Sequence, residues 1–128
     1  MRNTLLVLLL LPLQWIQAQG FQSFLESMRK SDLNAMNLMM DQRMQYCFND
    51  QIEIADKAVV LKALKAFLDR NVPKSIQALH KANAKGDDSS FIIATMEAQN
   101  GRKFRVYLYG EPVQGKFLIK ELRIDPNG

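Results

Sequence analysis

The chain has 128 residues, and its 17 Lys and Arg against 13 Asp and Glu give a formal net charge of +4. This small excess is spread along the sequence, so it does not predict nucleic-acid binding, which needs a basic stripe or patch. The lone Cys47 excludes an internal disulfide, and the fold must therefore rest on packing. We expect its thiol to be buried as a small hydrophobe, with a reactive or cross-linking thiol as the alternative.

The first eighteen residues have the layout of a secretory signal peptide. Arg2 provides a cationic start, residues 5–13 are almost all apolar, and Ala18 offers a small residue to a signal peptidase. The apolar run falls short of the roughly 20 residues that a membrane span needs. We therefore expect residues 1–18 to be removed and residues 19–128 to form a single domain in the periplasm or outside the cell, without a stable membrane anchor.

Two amphipathic helices are predicted at the start of this domain. The first places apolar side chains at the i, i+3, i+4, i+7 spacing of one helix face; these are Phe21, Phe24, Leu25 and Met28. Ser31 or Asp32 can cap a second, short helix that runs through Met40, because their side-chain oxygens accept bonds from free amides.

A hairpin and a long helix follow. Residues 44–48 predict a strand that ends at a turn signal, and residues 51–55 are its hairpin partner or its continuation. Asp56 is suited to cap the most strongly amphipathic helix of the chain, and Asn71 with the nearby Pro73 ends it.

The rest of the chain alternates as strands do. Strand-like segments cover residues 75–82, 90–98, 102–109 and 116–125, separated by turn signals at residues 85–88, at Asn100-Gly101 and at residues 110–115. Helices followed by a run of strands predict an α+β fold, in which N-terminal helices pack on one face of an antiparallel sheet.

Alternation assigns the two faces of this sheet. Phe104, Val106 and Leu108 would face the helices, and in the last strand Leu118, Leu122 and Ile124 would do so, interrupted by Lys120. The opposite face then carries apolar and charged side chains that are usually covered in a folded protein. We predict that it forms the interface of a homodimer, or contacts another protein, through Arg105, Tyr107, Tyr109, Phe117, Ile119 and Arg123.

Four features carry a family resemblance: the helix from Asp56 to Asn71, Pro73-Lys74-Ser75 leading to the strand with Leu79-His80, the segment from Gly101 to Tyr107, and the ending from Phe117 to Ile124. On these the chain resembles, over about residues 20–125, a family of short secreted bacterial proteins known only as a domain of unknown function, number 4783. That family is similar to the nuclear transport factor 2-like superfamily, which includes ketosteroid isomerase and many polyketide cyclases. The resemblance implies a cone-shaped α+β fold with a curved antiparallel sheet, and it brings no catalytic residues.

Candidate ligand-binding residues are Lys120, Tyr107 and His80. Lys120 is the single charge in an apolar set, where an ammonium must reach water or meet an anion; a solvated position at the rim is the alternative. His80 is the only histidine and can equally be structural. Glu97, Tyr107 and Glu121 could approach one another across strands, although such neighbours more often form ordinary sheet pairs.

Soft sulfur atoms suggest a copper hypothesis. Met36, Met40 and Met44 are spaced by four residues, and together with Cys47 they could bind Cu(I) in an exported protein. Methionine is also an adaptable filler of cores, and we favour core packing. No spacing typical of a zinc site or a phosphate-binding loop is present, so we predict neither a metal nor a cofactor.

These observations lead to two hypotheses about function. The first is an exported, non-enzymatic domain that binds a small apolar or amphiphilic ligand in its cone, or a protein partner on its outer sheet face. The alternative is an enzyme of the isomerase, dehydratase or cyclase type. An enzyme would need a deep cavity with an inward-facing acid or base.

Overall fold

The structure is a computed structural model that describes residues 13–83 and 90–126, with side chains for residues 19–79 and 90–126. Three helices and six strands follow one another in these ranges. In chain order they are α1 (Leu13–Arg29), α2 (Leu33–Met39), β1 (Met40–Cys47), β2 (Glu53–Asp56), α3 (Lys57–Arg70), β3 (Pro73–Asn83), β4 (Ser90–Ala98), β5 (Lys103–Val113) and β6 (Lys116–Pro126). The turn predicted at residues 85–88 lies outside the described residues.

The strands form one curved, open sheet in the order β2-β1-β6-β5-β4-β3, and the helices pack on one of its faces. The predicted α+β fold with N-terminal helices on a curved sheet is confirmed. Neighbouring strands run antiparallel except β1 and β6, which pair in parallel. This pair joins two strands that lie far apart in the sequence, so no hairpin fixes its direction.

The second helix is shorter than predicted. Asp32 caps it, since its Oδ1 accepts a hydrogen bond from Ala35 N at 3.1 Å. Met40 already has extended backbone angles and pairs with Ile119 of β6, so β1 begins there and not at Met44. The predicted boundary fails because a local apolar pattern cannot show that a distant strand offers the Met40 backbone a partner.

The helix α3 has the predicted bounds, but its cap differs from the expectation. Asp56 occupies the N-cap position, yet its side chain accepts no hydrogen bond from the first turn of the helix. Its carboxylate instead lies 3.2 Å from the Arg43 guanidinium on β1. Asp56 therefore joins the start of α3 to the neighbouring hairpin.

The space between helices and sheet is filled by apolar side chains. Its largest fully buried members are Phe21, Phe24, Met28, Met36, Met40, Met44, Leu64, Leu68, Ile92, Met96, Leu108 and Ile119. The predicted role of the three methionines before Cys47 in core packing is thus confirmed. Methionine suits this place because its flexible thioether adapts to the irregular space between helices and a curved sheet.

A β-bulge in β6 interrupts the alternation of the two faces. Tyr109 pairs with Glu121, whereas the next residue, Gly110, pairs with Ile119, so Lys120 is an extra residue without a partner on β5. Because of this extra residue, the side chains of β6 before Lys120 lie on the opposite face from the one that simple alternation predicts.

The predicted faces of Phe117 and Ile119 are therefore wrong. Ile119 is only 1% exposed and belongs to the core. Phe117 packs edge-on against Phe21 of α1, with ring centroids 5.1 Å apart and planes at 83°. Leu118, predicted to face the helices, is half-buried and pairs with Glu111 beyond the bulge. Neither Phe117 nor Ile119 can belong to an interface on the outer sheet face.

Candidate functional site

The sheet face turned away from the helices, here called the outer face, carries an apolar centre. Strand pairing places Phe91 opposite Tyr109 and Ile93 opposite Tyr107 on β4 and β5. All four side chains are half-buried, and the rings of Phe91 and Tyr107 lie 5.7 Å apart. We call these four residues the outer aromatic patch. No described helix lies on this patch, because α1, α2 and α3 all contribute to the core on the inner face.

Charged side chains border the patch on β5 and β6. Register places Arg105 opposite Asp125, and Arg123 opposite Tyr107. Glu121 accepts a hydrogen bond from Gln45 Nε2 at 3.2 Å on its Oε1, and the same oxygen lies 3.1 Å from Arg123 Nε. This second contact is an ion pair without hydrogen-bond geometry. Both signs of charge thus meet at the rim of the patch.

Burial changes the acidity of Tyr107. Desolvation of the phenolate is the main reason that the pKa of Tyr107 is raised, and the Glu121 carboxylate adds to it, whereas Arg123 acts in the opposite direction. The side chain therefore stays neutral at physiological pH and presents a ring and a hydroxyl group to the outer face.

Cys47 lies at the edge of the same face. Its backbone pairs with Arg123 in the parallel β1–β6 ladder, and the free thiol is buried, as predicted. Met44, three residues earlier, is part of the core on the inner face. The methionine sulfurs and the Cys47 sulfur therefore do not share one side of the sheet.

Lys120 is held by two carboxylates at the bulge. Its Nζ lies 2.9 Å from Glu111 Oε1 and 3.3 Å from Asp41 Oδ2, and the Tyr109 hydroxyl donates to Glu111 Oε2 at 3.0 Å. The hydrogen bond to Glu111 is the main reason that the pKa of Lys120 is raised; burial opposes this shift and Asp41 adds to it. Its ammonium is paired within the fold, and ligand binding by Lys120 stays a prediction.

The three residues predicted to bind a ligand do not form one site. Tyr107 lies on the outer face, and Lys120 lies at the bulge among its own carboxylates. The His80 backbone pairs with Ile93 on β3 and β4, two strands from Tyr107, and the His80 side chain is outside those described.

Sequence reasoning missed half of the outer aromatic patch. Phe91 and Ile93 were not expected there, although the Asn100-Gly101 hairpin between β4 and β5 fixes their register with Tyr109 and Tyr107. Counting residues outward from that turn would have placed both on the outer face.

In the described part of the chain, clefts open at two edges of the helix layer. The first, of about 230 Å³, lies between α1 and the inner face and is lined by Gln22, Leu25, Glu26, Ile76, Ala78 and Ile92. The second, of about 280 Å³, lies between α3 and the β1–β2 hairpin; its lining residues are Tyr46, Phe48, Asn49, Glu53, Ala63, Ala66, Phe67 and Arg70. We call this second one the hairpin cleft.

The hairpin cleft has an aromatic wall and one carboxylate, Glu53, that already accepts a hydrogen bond. The Tyr46 hydroxyl donates to Glu53 Oε2 at 2.6 Å, and this bond is the main reason that the pKa of Tyr46 is raised. The rings of Tyr46 and Phe48 lie 5.3 Å apart, and those of Phe48 and Phe67 lie 6.0 Å apart. Three aromatic rings therefore line one continuous surface.

Polar side chains buried within the described residues are few: Ser27, Asn71 and Ser90. In the same residues, no three His, Cys, Asp or Glu side chains are arranged to hold a metal ion. None of the described helices combines the length and the apolar character that crossing a membrane requires.

Comparison with known proteins agrees with this architecture. A crystal structure of a DUF4783 family protein from Bacteroides fragilis is 27% identical, with a TM-score of 0.75 over 82% of this chain and 96% of that one. One from Bacteroides ovatus is 24% identical, with a TM-score of 0.75 over 83% and 94%. A nuclear transport factor 2-like protein from Cytophaga hutchinsonii shares the fold at 8% identity, with a TM-score of 0.69 over 89% and 98%.

Curated proteins give no match. The family described as "Domain of unknown function (DUF4783)" matches residues 21–125, which is nearly all of the region that forms the fold. The predicted family is thus confirmed, and the fold agrees with the predicted nuclear transport factor 2-like fold. The chain belongs to the DUF4783 family and has a nuclear transport factor 2-like fold.

Proposed function

We propose that this protein is an exported, non-catalytic binding domain whose outer sheet face pairs with a second copy of the chain. The observation that carries the proposal is the outer aromatic patch, four half-buried apolar side chains that no described helix covers. Large apolar patches rimmed by polar groups mark interaction surfaces in soluble proteins.

The charges around the patch favour a second copy as the occupant. Arg105 is exposed beside one end of the β5 part of the patch, and Glu121 lies opposite Tyr109 at the other end. A two-fold axis that runs β5 of both copies antiparallel brings Arg105 of one copy, which lies opposite Asp125 in its own sheet, towards Glu121 of the other copy. Such self-complementarity is what an isologous interface requires.

The test is the mass of the protein in solution over a range of concentrations, measured by light scattering. We expect a dimer that the double variant Ile93→Glu/Tyr107→Glu converts to a monomer, because two carboxylates would lose their water in the centre of an apolar contact. Leu38→Glu is the matched control, since Leu38 is an exposed hydrophobic residue on α2, away from the sheet. A wild-type protein that stays monomeric at high concentration would refute the pairing.

A charge reversal covers the case in which the double variant unfolds. Arg105 is exposed, so Arg105→Glu should lower the thermal midpoint only slightly, through repulsion from Asp125 opposite it, while it weakens the dimer. A dimer that is equally strong in Arg105→Glu would contradict the proposed arrangement of charges.

Export forms a separate part of the proposal. The described core residues of α1 begin at Phe21, so removal of residues 1–18 leaves them in place. Intact-mass analysis of protein secreted by a bacterial host should find a chain that starts near Gln19. A chain that keeps Met1 and stays with the membrane fraction would rule out a cleaved leader.

A further inference from the structure

Among the described residues, the rim of the hairpin cleft carries a cation that has no acidic partner, Arg70. Arg70 ends α3 and is exposed at the cleft, and within the described residues no carboxylate lies within ion-pair distance of its guanidinium. The acid on the opposite side, Glu53, already accepts the hydroxyl of Tyr46. The cleft therefore offers a free cation and an acid that is already hydrogen-bonded.

The floor of the cleft is rigidly supported. Phe67 is nearly fully buried and packs edge-on against Phe104 of β5, with ring centroids 4.9 Å apart. Arg102 lies over the ring of Phe104, with its guanidinium carbon 5.3 Å from the ring centroid. Phe48 packs against Phe67 from the hairpin. Because these rings are held by the core, the aromatic wall is formed before any ligand arrives, which lowers the entropic cost of binding.

The size of the cleft limits what it can hold. Small-molecule sites usually measure about 300–1,000 Å³, and the hairpin cleft, at about 280 Å³ and open to solvent, is slightly smaller than this range. A molecule with one ring fits this space better than a steroid or a long acyl chain. On the helix side, the cleft has space for a ligand because Ala63 and Ala66 have only a methyl group as side chain.

We propose that the hairpin cleft binds a small aromatic carboxylate. Its ring packs against Phe48 and Phe67, and its carboxylate pairs with the Arg70 guanidinium, which can donate two parallel hydrogen bonds to it. This site is on the helix side of the hairpin and does not use the outer aromatic patch, so it is independent of the proposed dimer.

The experiment is a titration of the purified protein followed by two-dimensional NMR, with 3-phenylpropionate, 3-phenylpropanol and 3-phenylpropylamine as probes. These three share one ring and one linker and differ in the charge of the head group. We expect the acid to bind tightest and the amine weakest, with shift changes confined to residues around the cleft. Tightest binding by the amine would overturn the proposal.

Variants of α3 separate the head-group contact from the ring contact. Arg70→Gln should weaken binding of the acid about tenfold and leave the alcohol unchanged, because it removes one charge-assisted contact. Lys62→Gln removes the same charge from an exposed position that does not line the cleft, and should change neither. Equal losses in the two variants would show that only general charge attracts the acid.

A large side chain placed in the hairpin cleft tests whether the ligand binds there. Ala66→Trp places a large ring in the cleft and should abolish binding of both acid and alcohol, whereas Ala58→Trp, at an exposed position of the same helix outside the cleft, should not. Both alanines are exposed, so neither change should unfold the protein. Undiminished binding in Ala66→Trp would place the ligand elsewhere and refute the site.

Discussion

The ring of Phe117 occupies the space that a side chain at Gly110 would need. A Cβ at Gly110 would lie 2.5 Å from Phe117 Cζ and 2.9 Å from the Leu118 carbonyl oxygen. Gly110→Ala should therefore destabilise the protein by about 2–3 kcal/mol, because the backbone and the ring must both move. The free energy of unfolding in urea measures this cost.

Gly115 provides the control for that substitution. Its φ is +80°, but a Cβ there would meet nothing within 4 Å, so Gly115→Ala carries only the backbone strain of about 1 kcal/mol. Combining Gly110→Ala with Phe117→Leu should cost less than the sum of the single variants, since the smaller side chain frees space. Additive costs would show that the ring does not cause the conflict.

The buried apolar face of α3 gives a second prediction. Phe67 is nearly buried and contacts two other rings, so Phe67→Ala should cost about 3–5 kcal/mol through lost burial and a cavity. Lys65→Ala on the exposed side loses only the pair with Asp69 and should cost about 0.5 kcal/mol at most. Thermal unfolding of the two variants compares them directly, and similar midpoints would contradict the buried face of this helix.

The two N-cap aspartates should differ in their importance. Asp32→Ala removes a hydrogen bond to the amide of Ala35 and should cost about 1 kcal/mol. Asp56→Ala removes only an exposed ion pair with Arg43 and should cost about half of that or less. Urea unfolding at neutral pH measures both, and an equal or greater loss for Asp56→Ala would show that its carboxylate caps α3 in solution.

The ion pairs of Lys120 should make stability depend on pH. The pKa of Lys120 is higher in the folded state than in the unfolded chain, where a lysine has a pKa of about 10.4. The ion pairs therefore stabilise the fold fully below about pH 10.4, and this stabilisation is lost as the pH rises through the raised pKa. At about pH 8, Lys120→Met should be less stable than the wild type by about 1 kcal/mol. This difference should shrink toward zero in strongly alkaline solution.

Lys116→Met is the control for Lys120→Met. Lys116 is exposed on the same strand, and none of the ion pairs among the described residues includes it. Its substitution should change stability little at any pH. A difference for Lys120→Met that stays constant across the alkaline range would contradict the raised pKa.

Local patterns predicted most of the fold but not the face of every residue. The stripe of α3 and the alternation along β4 and β5 are local properties, and the structure has them as expected. The bulge at Lys120 is a property of two strands together, because it arises where Gly110 lets Phe117 approach the β5 backbone. An alternating pattern read along β6 alone cannot show an extra residue, and the faces of Phe117 and Ile119 were wrong for that reason.

The candidate sites were harder to predict than the fold. The outer aromatic patch combines residues of two strands, and only register places Ile93 beside Tyr107. The hairpin cleft combines Phe48 of the β1–β2 hairpin with Phe67 and Arg70 of α3, and no spacing in the sequence links the hairpin to the helix. Lys120 attracted attention as a single charge among apolar residues, and its partners Asp41 and Glu111 come from other strands.

The parallel pairing of β1 with β6 has a consequence for how the chain folds. Gln45 of β1 and Glu121 of β6 are hydrogen-bonded across a separation of 76 residues, so the centre of the sheet forms only after β6 has been synthesised. Until then, β1 and β5 both present open edges, which are prone to aggregation. We expect folding to be slow for the size of the chain, because its central contact closes a long loop. Molecules truncated before β6 should therefore be substrates for chaperones and proteases.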